Sequence, residues 1–80
     1  MSDALQQVLI ALQELNEDST TPKNVKLKVE NTIKLLNANA ELSIKVSKAL
    51  NELEVVADDS SVQTHTRTQI FNIVSLLELV

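Results

Sequence analysis

Apolar side chains recur along this chain at three- and four-residue spacing in four stretches, which is the pattern that keeps side chains on one face of a helix. The first helix is expected over residues 3–15, with Leu5, Val8, Leu9, Leu12 and Leu15 on its stripe and Ser2 as its N-cap. A polar loop, residues 16–20, follows, and Thr21 is expected to cap a second helix, residues 22–36, whose first position is Pro22. That helix buries Val25, Val29, Thr32, Ile33 and Leu36, and the asparagines of residues 37–39 stand in for the glycine that commonly closes a helix. The third helix is expected over residues 40–56, capped by Asn39, with Leu42, Val46, Ala49, Leu50, Leu53 and Val56 inward. After an exit loop at residues 57–60, the fourth starts near Ser61 or Val62 and aligns Thr66, Ile70, Ile73, Val74 and Leu77.

The stripes are related to one another. Residues 17–36 align without a gap on residues 58–77, forty-one positions later: Asp18 meets Asp59, Ser19 meets Ser60, Asn31 meets Asn72, and Leu35 with Leu36 meets Leu76 with Leu77. Lys26 pairs conservatively with Arg67, Val29 with Ile70 and Ile33 with Val74, and the offset continues backwards through Leu9 with Leu50 and Leu12 with Leu53. The chain reads as one helical hairpin written twice. A period near 41 also falls in the range of HEAT-type repeats, but two units are too few for a solenoid. Folding the hairpins face to face buries all four stripes. The expected fold is therefore all-α, a four-helix up-and-down bundle built from two similar helical hairpins in one domain, residues 1–80. Val29, Ile33, Leu50, Leu53, Ile70 and Val74 are its expected central core, and Asp18 with Lys26 and Asp59 with Arg67 are expected to make equivalent loop-to-helix contacts.

Composition narrows the function classes. There is no glycine, no cysteine and a single proline, so strand hairpins, disulfides and thiolate metal sites are disfavoured or excluded. The beginning of the chain lacks the pattern of a signal peptide, and no apolar run is long enough to span a bilayer, so a cytoplasmic protein without membrane attachment is expected. A net charge of −4 opposes nucleic-acid binding, and one phenylalanine without tyrosine or tryptophan leaves almost nothing for bases to stack on.

The run His65-Thr66-Arg67-Thr68, Ile70 to Ser75 and Leu77-Glu78 resembles the signature of a small archaeal family, uncharacterised protein family 0147. Asp18, Thr21-Pro22 and Asn24 resemble its first-repeat motif. Phe71 stands where that family tends to have tryptophan, and Gln63 where it tends to have a second proline, which argues against an essential indole and for a looser start to the fourth helix. The resemblance implies a four-helix bundle, an archaeal source and a cytoplasmic protein of no assigned activity; no catalytic or binding residue carries over with it.

Candidate chemistry is sparse. His65 is the sole histidine, points away from the apolar stripe and has no carboxylate at di-iron spacing and no HExxH motif around it. Ser60, Ser61, Thr64, Thr66 and Thr68 supply hydroxyls without a second histidine or a glycine-built oxyanion loop, so capping is the simpler role. Glu14, Glu17, Asp18, Asp58 and Asp59 lie at helix ends, where two acidic turns together would suit a hard cation, although acidic residues before a helix are also favoured by its dipole. Asn31 and Asn72 fall opposite the stripes.

Apolar content outside the stripes is the more informative feature. Ile10, Leu27, Leu35, Ile44, Val55 and Leu76 fall beside or opposite the core faces, and Leu35 and Leu76 occupy the same position in each repeat. These two leucines mark the candidate protein interface, for a homodimer or another protein partner. No catalytic, cofactor-binding or metal-ligating residue is assigned and no cofactor is implied. The reading is a small non-enzymatic interaction module or assembly subunit; the alternative is a metal-dependent or other enzyme using the acidic turns and His65.

Overall fold

The computed structural model describes residues 3–80, so the expected Ser2 cap lies outside the described residues. Four α-helices occupy most of this length: α1 (Asp3–Glu17), α2 (Lys23–Asn37), α3 (Leu42–Ala57) and α4 (Thr64–Leu77). Each helix packs on its neighbours in the ring α1, α2, α3, α4 and back to α1, and among the described residues neither diagonal pair meets. The linkers, residues 18–22, 38–41 and 58–63, are too short to run back along a helix, so sequential neighbours are antiparallel and the bundle is up-down-up-down. It measures 32 × 20 × 18 Å.

The buried positions carry the 41-residue offset into three dimensions. Among the described residues, every buried one other than Ala57 has a buried counterpart 41 positions away: Val8 with Ala49, Leu12 with Leu53, Leu15 with Val56, Thr21 with Val62, Val25 with Thr66, Val29 with Ile70, Thr32 with Ile73 and Leu36 with Leu77. Of the six residues expected at the centre, Val29, Leu53 and Ile70 are fully buried, whereas Ile33, Leu50 and Val74 are only partly buried at the edge of the core. The reason is rotational. Thr32, Ala49 and Ile73 hold the inward positions, and the next residue along a helix is turned by about 100° towards the shoulder. Val46 is likewise half-buried, and Leu42, expected inward, is exposed because it is the first residue of α3.

The helix starts differ from expectation for related reasons. Thr21 does not cap α2; Pro22 occupies the N-cap position with φ −59° and ψ 150°, and α2 begins at Lys23. The buried Thr21 hydroxyl instead reaches back and donates to the Leu15 carbonyl at 2.9 Å. Asn39 does not cap α3, which begins at Leu42 after Glu41. Nor does α4 begin at Ser61 or Val62: Ser61 is spent in the preceding turn, Val62 is a buried anchor outside the helix, and α4 starts at Thr64 after Gln63. Lys23 and Thr64 are again 41 positions apart.

A chain without glycine must also end its helices without glycine's left-handed conformation. No described residue has positive φ, so the asparagines of residues 37–39 do not adopt it either; Ala38, the C-cap of α2, is extended. Side chains from the following segment meet the terminal carbonyls instead. Thr21 serves α1; Lys45 Nζ donates to the carbonyls of Leu36 at 3.0 Å and Ala38 at 3.1 Å; Arg67 donates from Nε to Ala57 O at 2.9 Å and from a terminal nitrogen to Asp59 O at 3.3 Å and Val62 O at 3.4 Å. A cation at a helix C-terminus also opposes the negative end of its dipole.

Candidate interaction surface

The two acidic turns lie at the same end of the bundle and are built alike. Asp18 Oδ1 accepts the backbone N–H of Thr20 at 2.8 Å and its hydroxyl at 2.7 Å, and Asp59 Oδ1 accepts the backbone N–H of Ser61 at 2.9 Å and its hydroxyl at 2.8 Å. Two donors on one carboxylate oxygen stabilise the ionised form. The hydroxyl and backbone N–H of Thr20 hold the Asp18 carboxyl below its ordinary range, and His65 and Lys26 add to this more weakly. The backbone N–H and hydroxyl of Ser61 do the same for Asp59, assisted by Asn24 and Lys28.

Each turn is then tied to a helix of the other repeat. Asn24, in the first turn of α2, donates from Nδ2 to Asp59 Oδ2 at 3.0 Å, and His65, in the first turn of α4, lies with Nε2 3.3 Å from the Thr20 hydroxyl. Asn24 and His65 are equivalent positions. Because the Thr20 hydroxyl proton is directed at Asp18, the ring N–H is the donor in the second tie. The expected loop-to-helix pairs are thereby corrected: Arg67 meets the backbone carbonyl of Asp59 and not its carboxylate, and Lys26 acts on Asp18 only through its charge. A planar guanidinium spans three carbonyls, which a lysine ammonium on a flexible stem does not.

The candidate chemical groups stay dispersed or serve the backbone. Glu17 accepts from Gln13 at 3.4 Å, Thr68 bonds the Thr64 carbonyl at 3.1 Å, Thr66 is buried beside His65, and Ser60, Thr64, Asp58, Asn31 and Asn72 are exposed. Among the described residues no three histidine or acidic side chains converge as metal ligands would.

The ties also orient the helix flanks. The α4 flank bearing His65, Gln69 and Leu76 faces α1, and the α2 flank bearing Asn24, Lys28 and Leu35 faces α3. Between α1 and α4 lies a cleft of about 170 Å³ lined by Ala11, Glu14, Gln69, Asn72, Ile73 and Leu76. A larger hollow of about 390 Å³ is a ledge on α3 alone, formed by Ser47, Lys48, Leu50, Asn51 and Glu54. Leu35 and Leu76, expected beside or opposite the core faces, are half-buried and pack against the core's edge, not opposite it. In the ring they belong to opposite faces, Leu76 to α1/α4 and Leu35 to α2/α3, so they do not form one patch. The large apolar side chains that do stand in solvent are Leu79, beyond the end of α4 (75% exposed), and, on the helices, Leu27 (57%), Val55 (53%), Ile10 (52%), Phe71 (51%), Ile44 (48%) and Leu42 (43%). Hydrophobicity alone signals such residues; their grouping needs the helix arrangement.

Residues 1–80 match the model of an uncharacterised protein family, UPF0147, from end to end. The chain belongs to family UPF0147. A UPF0147 protein of Thermoplasma volcanium is 37% identical over 73 residues, covering 90% of this chain and 82% of the relative. One from Methanosarcina mazei is 31% identical over 80 residues, covering 99% and 86%. The crystal structure of a UPF0147 protein from Thermoplasma acidophilum superposes with a TM-score of 0.94 at 32% identity, covering 96% of this chain and 92% of that one. A crystal structure of a protein of unknown function gives 0.89 at 35% identity, covering 98% and 90%. UPF0147 is a family of unknown function, and its fold is the four-helix bundle described above. No described helix is long and apolar enough to cross a membrane.

Proposed function

We propose that this UPF0147 protein is a non-enzymatic interaction module, a subunit or adaptor of a cytoplasmic protein assembly that binds neither nucleic acid nor membrane. The observation that carries the reading is the exposure of Leu27 on α2, Ile44 and Val55 on α3 and Ile10 on α1, beside an α1/α4 cleft that holds Leu76. A solvated helix surface normally carries polar residues, and large apolar side chains left in water are what a protein interface covers. The alternative enzyme reading has less support, since the Asp18 and Asp59 carboxylates already accept bonds from their own turns.

Size in the native host tests the proposal. Gel filtration of a host cell extract, with immunodetection, is expected to show the protein eluting well above its 8.8 kDa chain mass. Elution of the whole pool at monomer size at every dilution overturns the reading.

A further inference from the structure

We infer that the partner is a second copy of the chain, docked head to tail: the α1/α4 face of one molecule against the α2/α3 face of the next. The inference rests on the interaction-module reading and names its partner. Charge separation between the faces is the first argument. All six lysines, Lys23, Lys26, Lys28, Lys34, Lys45 and Lys48, belong to α2 or α3, and Lys45 is engaged by carbonyls; with Glu30, Glu52 and Glu54 these two helices carry a surplus of three positive charges, whereas α1 carries Asp3, Glu14 and Glu17 with no basic residue. The sole basic residue of α4, Arg67, is on the flank towards α3 and is engaged by carbonyls there. An α1/α4 face therefore repels its own copy and attracts the α2/α3 face.

The apolar surfaces match in the same sense. The acidic face carries the Leu76 cleft, with Glu14 in its lining, and the exposed Ile10 is on α1; the basic face carries Leu35, and the exposed Leu27, Val55 and Ile44 belong to its two helices, as do Lys28 and Lys48. Equivalent leucines from two faces related by the repeat thus meet in one interface. A bundle side of 32 × 20 Å is of the same order as the roughly 800 Å² per partner that a standard interface takes. Because the faces are opposite, each molecule can engage two neighbours, and growth does not stop at a dimer.

Sedimentation of the purified chain over a range of concentrations is the test. At about 20 mM salt the wild type is expected to sediment faster as concentration rises, beyond a dimer, and to return to monomer at about 500 mM, where screening is strong. Glu14→Lys alone, and Lys28→Glu with Lys48→Glu, are each expected to lose the fast species, while an equimolar mixture of the two variants regains it. Circular dichroism checks folding; if the lysine variant unfolds, Lys28→Gln with Lys48→Gln replaces it, with loss of the fast species again expected. A wild type that is monomeric throughout overturns the head-to-tail assembly, and the host-extract experiment then decides the module reading separately. A species that stops at dimer and ignores both salt and the charge variants overturns the head-to-tail assembly while supporting an interaction surface.

Discussion

Asn24 and Asp59, 35 residues apart, are joined by a 3.0 Å hydrogen bond that has a counterpart of similar kind between His65 and Thr20. In each case a side chain from the first turn of an even-numbered helix grips the acidic turn of the other repeat. The two hairpins are thus clasped at one end by ties that neither hairpin makes within itself.

Acid should loosen this end of the molecule. Asp18 and Asp59 both titrate lower in the folded chain than in an unfolded one, so near pH 4 the unfolded chain binds more protons and stability falls as pH falls. Their contribution is present above the ordinary aspartate pKa and is lost on descent through the folded values. Asp18→Asn with Asp59→Asn is expected to flatten the decline of melting temperature between about pH 5 and pH 2. An unchanged slope would remove these turns from the account of acid stability.

Thr21→Val is expected to destabilise by about 1 kcal/mol, the net value of one buried hydrogen bond, because it removes the donor to Leu15 while keeping the buried shape. Valine already fills the equivalent slot at Val62. The shift in urea midpoint at constant slope measures this. No shift would mean that the hydroxyl contributes nothing to closing α1.

Arg67→Lys should cost about 1 to 2 kcal/mol despite conserving charge, since one ammonium does not reach the three carbonyls that the guanidinium spans. Faster amide exchange in residues 57–62 is the local readout. Retained stability and protection would show that charge alone suffices there.

Leu53→Ala is expected to cost roughly 2 to 5 kcal/mol, and Leu50→Ala distinctly less, because Leu53 is fully buried while Leu50 sits at the shoulder. Thermal melts of the two variants rank them. The opposite order would overturn the rotation assigned to α3.

What the sequence determined by itself follows from short-range periodicity. Spacing of apolar residues sets four helices, and the 41-residue offset pairs positions such as Leu12 with Leu53 and Val29 with Ile70, which the fold buries alike. Tertiary structure decided what depends on groups distant in the chain. Thr21 looked like a cap because nothing local reveals that its hydroxyl is drawn to Leu15, and Ser61 looked like a helix start because the claim of Asp59 on its N–H and hydroxyl is a matter of turn geometry. A helix stripe is wider than the inward line of a square bundle, so only the ring arrangement separates Leu53 from Leu50. The same arrangement carries Leu35 and Leu76, which occupy the same position in each repeat, to opposite faces, because a repeat that closes into a ring turns equivalent flanks away from each other.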